Sequence, residues 1–204
     1  HGAAVIKSTD SGATWTDLSG TPLQTPALYS ENIAIPPLHS YVYIKGLAVD
    51  SKGNLWALTL KPAIDDKRIL LSRWDKTTGW VTADLQSVLP ADRIAVDATM
   101  TIDTRDRIHL ALCAVLSNIS NNSGWGDPTS EIFHLVTDGS VAGSSCRHIS
   151  TTGGDFANWI PSISLNAPFQ PVVAPTILYT HGPSGSGCAP ATETEVWCVQ
   201  MSES

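Results

Sequence analysis

The residues able to do chemistry gather in a few connecting segments. "SENIAIPPLHSYVYIK" carries His39, Tyr41, Tyr43 and Lys45; "LPADRIAVDA" carries Asp92, Arg93 and Asp97; "TTGGDFANWIP" carries Asp155, Asn158 and Trp159; and His181 closes a later apolar run. Imidazoles, phenols, cations and an indole together suit an anionic sugar. Abstraction of the proton beside a uronate carboxylate needs a base near the working pH and a cation or donor set for the forming enolate. His39 and Tyr43 are the candidates for the first role. Lys45 and Arg93 are candidates for the second, with Tyr41, Asp97, Trp159 and His181 as further substrate contacts.

Other chemistries find less support. Hydrolysis would call on paired carboxylates, and the adjacent Asp65 and Asp66 in one loop are the obvious pair, although neighbours on an exposed loop point apart. A sialidase needs convergent arginines; of Arg68, Arg73, Arg93, Arg105, Arg107 and Arg147, only Arg68 and Arg93 belong to the expected side. His109 and His134 lie mid-strand and are expected to be packed. His148 beside Cys146 offers two ligands, short of a metal site. No cofactor is identified, and a structural divalent cation is compatible with the chain.

The elements that must position these groups are strands. Helical periodicity is scarce, and short alternating apolar runs broken by turn residues recur. "GLAVDSKGNLWALTL" from Gly46, "ATMTIDTRDRIHLALCAV" from Ala98 and "SISLNAPFQPVVAPTILYT" from Ser162 repeat one plan: strand, Asp or Asn, tight turn, strand. Asp50, Asp103 and Asn166 are the equivalent positions. Arg68 to Leu85 and Ser130 to Ser150 each read as a following hairpin with Gly at its turn. The spacing approaches the ~40–50 residues of a four-stranded propeller blade. The expected fold is therefore an all-β propeller, with blades over 46–85 and 98–150, an incomplete blade over 162–202, and a hairpin over 1–20. A two-sheet sandwich is the alternative.

That first hairpin contains "STDSGATW", in which Ser8, Asp10, Gly12, Thr14 and Trp15 are spaced for a self-contained turn. The Asp10 carboxylate can accept the turn's own N–H groups, Gly12 can take positive φ, and Trp15 can cover the hairpin. This resembles the Asp-box, or bacterial neuraminidase (BNR) repeat, whose role is structural. With two strands ahead of Gly46, about thirteen strands are expected, enough for roughly three to four blades. A closed propeller needs at least about four. The chain is read as part of a larger propeller, or as one subunit of a ring closed by oligomerisation. Its start at His1 fits processing or truncation.

The run "VIKSTDSGATWTDLSGTPLQTP…YIKGLAVDSKGNLWAL" is similar to BNR-repeat-containing family members, a group with ulvan lyases, rhamnose–glucuronate lyases and related rhamnosidases. The likeness covers about the first 120 residues, with Gly20, Thr21, Pro22 and Leu23 as the turn after the hairpin. It implies a seven-bladed, secreted propeller acting on acidic polysaccharide, seen here as its C-terminal half. It brings no catalytic residue with it. The expected activity is lyase cleavage by β-elimination; a non-catalytic glycan- or protein-binding propeller and an exo-glycosidase of sialidase or rhamnosidase type are the alternatives.

Composition is that of an ordinary soluble domain with a real core. Hydrophobic residues make up 42% and charged ones 15%, with a net charge of -7 that disfavours nucleic acid and anionic membrane as partners. No apolar run approaches the ~20 residues of a membrane span. Cys113, Cys146, Cys188 and Cys198 are compatible with two disulfides, Cys188 and Cys198 flanking one loop. Asn118 and Asn121 open two glycosylation sequons.

Overall fold

The computed structural model describes residues 2–30, 33–37, 42–61, 67–117, 127–150, 156–165, 172–183 and 194–202. The chain is all-β and its main body is three antiparallel meanders. The first runs β5 (Tyr43–Val49), β6 (Leu55–Lys61), β7 (Arg68–Asp75) and β8 (Gly79–Asp84), each paired to the next. The second runs β9 (Arg93–Ile102), β10 (Ile108–Leu116), β11 (Glu131–Thr137) and β12 (Ser145–His148). The third has β13 (Phe156–Ile163), β14 (Thr176–Pro183) and β15 (Glu195–Gln200).

The sheets stack face to face with their first strands β5, β9 and β13 side by side. Burial of β10 follows from its place in the middle sheet, since both of its faces are covered. Ile108, Leu110, Leu112 and Ala114 meet Leu58, Leu60 and Leu71 of the first sheet. Ala111 and Cys113 meet Ile163, Ile177 and Tyr179 of the third. Each such aliphatic side chain contributes about 1.5–3 kcal/mol of burial. The outer faces of the stack are less covered: Leu47 and Val49 at one end, and Leu178 and Val196 at the other, remain exposed.

Ahead of the meanders the structure departs from the expected pair of strands. Four two-residue strands occur there: β1 (Ala3–Ala4), β2 (Trp15–Thr16), β3 (Pro22–Leu23) and β4 (Ala34–Ile35). Lys7 and Thr16 exchange backbone hydrogen bonds of 2.9 and 2.8 Å, closing the hairpin around Asp10. Its outer ends then separate, β1 pairing with β4 and β2 with β3. A second carboxylate turn causes this: Asp17 accepts Ser19 Oγ at 2.6 Å and Thr21 N at 2.8 Å, reversing the chain at Gly20. The described residues thus hold fifteen strands where about thirteen were expected.

Such turns recur along the chain, and those at Asp50 and Asp103 close one end of the stack. Asp10 accepts Thr14 N at 2.9 Å and Thr14 Oγ1 at 2.5 Å, while Ser8 Oγ donates to it at 2.8 Å and Gly12 takes φ +89°. Asp50 and Asp103, matched in the sequence, head identical turns. Asp50 accepts the N–H groups of Lys52 and Asn54, and Asp103 those of Arg105 and Arg107. Ser51 donates through N and Oγ to Asp106 at 2.8 and 2.6 Å, tying the first sheet's turn to the second's. Asp75 and Asp138 anchor the β7–β8 and β11–β12 turns likewise.

Gly139, in the last of these turns, has φ +99°, and a methyl there would lie 2.4 Å from the Trp56 ring. Trp56 is buried and its Nε1 donates to Asp50 at 3.0 Å, so the ring cannot yield without breaking that bond. Gly139→Ala is expected to cost about 2 kcal/mol or more through backbone strain and overpacking, read by denaturant unfolding.

Candidate functional site

The opposite end carries the candidate site. All three first strands bulge: β5 between Ile44 and Gly46, β9 between Ala95 and Asp97, and β13 between Trp159 and Ser162. An extra residue kinks a strand and re-aims its neighbours. Here it brings Lys45 and Asp97 from adjacent sheets into contact, Nζ to Oδ1 at 2.6 Å. Both side chains keep about a fifth to a quarter of their surface, 24% and 21%. Ala98 N donates to the same Asp97 oxygen at 2.9 Å, and the Lys45 ammonium stands 5.6 Å from the Tyr43 ring centre.

Asp97 is paired across the ladder with Cys113, whose thiol donates to Asn158 O at 3.5 Å. Burial pushes that thiol up to about 12, and Asp97, Glu131 and Asp127 add to the rise. Glu131 Oε2 accepts from Ser150 Oγ, from His148 Nε2 at 3.2 Å and from Asn158 Nδ2 at 3.0 Å. Asn158 Oδ1 meets His181 Nδ1 at 2.9 Å, and the His181 ring lies 4.7 Å from that of Trp197. The Ser150–His148–Glu131 set resembles a nucleophile relay in composition only. His148 uses Nε2 for both Ser150 and Glu131, and Ser150 Oγ also accepts Ile132 N, so no proton path runs through the ring.

The sequence candidates thus divide. Tyr43, Lys45 and Asp97 come together, as do Asn158 and His181. Arg93 is drawn aside, donating to Thr129 O at 2.6 Å with its guanidinium 5.9 Å from the Phe133 ring. Trp159, expected as an open platform, is half-buried against the core shared with the third sheet. His39, Tyr41, Asp65, Asp66 and Asp155 lie outside the described residues, as do Asn118 and Asn121. Glu131, Asp127 and Trp197 were not singled out in the sequence; each is one polar or aromatic position of an ordinary strand or loop, without a local signature.

The expected disulfides are corrected in part. Cys113, Cys146 and Cys198 are free thiols; Cys188 lies outside the described residues. Cys113 faces the third sheet and Cys146 the first, on opposite sides of one sheet, which no disulfide can bridge. Among the described residues no three His, Cys, Asp or Glu side chains are grouped to hold a metal ion.

No protein-family model matches the chain, and no curated protein matches it in sequence. Among solved structures it superposes on an endo-arabinase from Bacteroides thetaiotaomicron VPI-5482, with TM-score 0.50 and 13% identity, over 94% of this chain and 65% of that one. The likeness is one of fold. A protein of unknown function from Dyadobacter fermentans DSM 18053 gives TM-score 0.48 and 14% identity, over 98% of this chain and 52% of that one. The chain spans less than two thirds of the length of either.

Two groups of titratable residues set the acid response of this fold. His109 and His134 are buried as expected, stacked with Nδ1 and Nε2 3.0 Å apart, and His109 Nε2 meets Asp103 at 3.1 Å. Burial lowers His134 to about 4, helped by His109 and Arg147. A histidine depressed in the folded state favours the unfolded chain as pH falls below about 6.5, by on the order of 3 kcal/mol once pH reaches 4. At Asp10, the Thr14 hydroxyl, the Thr14 N–H and Ser8 lower the carboxyl to about 2. Asp17, Asp75 and Asp138 are lowered by their hydroxyl and N–H donors, and Asp50 is lowered by Asn54 and Trp56 against the opposing effect of burial. Their stabilisation is present above about pH 4 and lost as pH falls towards 2. Melting temperature is expected to fall in two steps, from about 6.5 to 4 and again below 4. His134→Gln should shrink the first step to the part left by His109, which burial lowers too, and leave the second unchanged.

Proposed function

We propose that the three meanders are blades of a β-propeller, and that the chain hydrolyses a carbohydrate polymer outside the cell at the end remote from the Asp turns. The adjacent first strands of successive meanders support the architecture. The turn at Asp10, with the spacing of an Asp-box, then serves structure alone. A propeller closes on itself, so the exposed Leu47, Val49, Leu178 and Val196 would meet further sheets of a longer chain or of a second copy.

The observation that carries the chemistry is the Lys45–Asp97 contact made by two bulged strands. Hydrolysis of a glycosidic bond uses carboxylates, one as acid and one as base or nucleophile. Asp97, partly exposed, is read as the base or nucleophile. Glu131 holds Asn158, and through it His181, in place. Elimination, as the family resemblance implies, would need a cation beside the proton being removed, and at Asp97 the Lys45 ammonium is already paired with the carboxylate. Because one structural neighbour is an endo-arabinase, arabinan leads the substrates to test, beside ulvan. New reducing ends without ultraviolet absorbance from an unsaturated uronate support hydrolysis. That absorbance would establish elimination instead, and binding without either product would leave a glycan-binding module.

A further inference from the structure

Backbone strain is concentrated beside this site. Among the described residues three non-glycine positions take positive φ: Ser11, Asp106 and Ile160. Ser11 and Asp106 are short polar residues inside the turns that Asp10 and Asp103 hold, where that conformation is familiar. Ile160, at φ +50°, is β-branched and stands directly before Pro161. A β-branched residue is a genuine outlier in the left-handed region, and a following proline disfavours helical backbone as well. Core burial does little to offset this, because 49% of Ile160 is exposed. Glycine or asparagine would occupy the position with less strain.

The strand pairing shows what the strain achieves. Trp159 pairs with Thr180 and Ser162 with Leu178, so Ile160 and Pro161 together oppose Tyr179. Alternation along β14 turns Tyr179 to the second sheet and leaves Leu178 on the outer face. Ile160 therefore belongs to the inner side of the third sheet, yet it is uncovered where Pro161 and Tyr179 are buried. In β9 the residue left over by the bulge, Val96, packs into the core instead, and Asp97 stays partly open. On the other side of β9, Tyr43 pairs with Leu60 and shares the face that meets the second sheet, and it is 46% exposed. With β5, β9 and β13 side by side, the Asp97 carboxylate lies between an exposed ring and an exposed isoleucine.

We infer that Ile160 is a substrate-binding residue: held out by its strained bulge, it forms with Tyr43 the two apolar walls that grip the C–H faces of the sugar cleaved at Asp97. The inference rests on the carbohydrate reading above and deepens it. A sugar ring carries patches of C–H between its hydroxyls, and covering them against aliphatic and aromatic side chains removes apolar area from water. Strain kept at an exposed position is consistent with binding, since the substrate then finds the wall already in place.

Ile160→Gly separates this role from one in packing. Relief of the backbone should leave melting temperature unchanged or raise it by up to about 4 °C. KM for linear arabinan should rise about tenfold or more with kcat within about twofold, the pattern of lost uniform binding. The Kd of a linear arabinan oligosaccharide, measured by calorimetry, should rise by the same factor. Ile160→Val keeps most of the wall and should hold KM and Kd within about threefold of wild type. A melting temperature lowered by more than about 4 °C in Ile160→Gly makes Ile160 a packing residue, and KM and Kd within about threefold of wild type make it a bystander. Either result overturns the inference. Wild-type hydrolysis is scored separately. Hydrolysis that is indifferent to Ile160→Gly removes the wall and keeps the proposed activity. Oligosaccharide binding that Ile160→Gly weakens, in a protein that cleaves nothing, keeps the wall and removes the activity; neither binding nor cleavage of arabinan by the wild type overturns both.

Discussion

Asp97→Asn is expected to lower glycan hydrolysis by about 10²–10⁴-fold, the range for a lost acid–base group, while melting temperature moves by no more than about 4 °C. The asymmetry follows from the geometry. Asparagine keeps an oxygen that can accept from both Lys45 Nζ and Ala98 N, the two donors now on Asp97 Oδ1. What disappears is the charge, and a partly exposed ion pair contributes only about 1 kcal/mol or less, or 2–4 °C in a chain of this size. A purely structural Asp97 would give the opposite pattern. Turnover within tenfold of wild type, measured as reducing ends released per enzyme, would remove Asp97 from the chemistry. Lys45→Gln is expected to reduce turnover less, since it orients the carboxylate and leaves it in place.

What could be read from the sequence depended on how local the signal was. Asp50 and Asp103 were recognisable as equivalents because the turn needs only a carboxylate and the N–H groups two and four residues on, with positive φ between them at Gly53 or Asp106. "DLSGT" at Asp17 carries the same pattern, with Gly20 at φ +99°. The turn at Gly20 to Leu23 is expected; the strands β3 and β4 that follow it are two residues each, too short for any alternation to announce them. The near-continuous apolar run "IHLALCAVL" in β10 marks a strand covered on both faces, interrupted only by His109. The site was harder. A bulge is a property of the pairing between two strands, and nothing in "YIKGLAV" or "RIAVDATMTI" states which residue its partner will skip. Lys45 and Asp97 were therefore named separately, for their types, and their contact came only with the register. Glu131 and Trp197 act through partners distant in the chain, which one segment cannot disclose. Trp159 failed for the same reason: its exposure depends on which face the bulged strand turns to the core.

Asp103→Ala is expected to cost about 3–5 kcal/mol, the toll of stripping one partner from a buried charged network, and to do so without touching the proposed site. The carboxylate is buried and accepts from Arg105 N, Arg107 N, Arg107 Nε and His109 Nε2, donors that together hold it below the usual carboxylate range although burial opposes them. Its removal takes the acceptor from two turn N–H groups and one guanidinium bond, and leaves His109 with His134 as its remaining ring partner. The turn is also a junction. Asp106 receives Ser51 from the first sheet, and Thr104 N donates to Val172 O at 2.9 Å on the segment leading into the third. Three sheets thus meet at the one turn that Asp103 holds. Asp103→Asn, which keeps an acceptor for the N–H groups but not the charge, should lose about half as much. If guanidinium unfolding finds Asp103→Ala within 1 kcal/mol of wild type, the sheets are held by apolar packing alone, and the turns at that end are ornaments of the fold rather than its clasps.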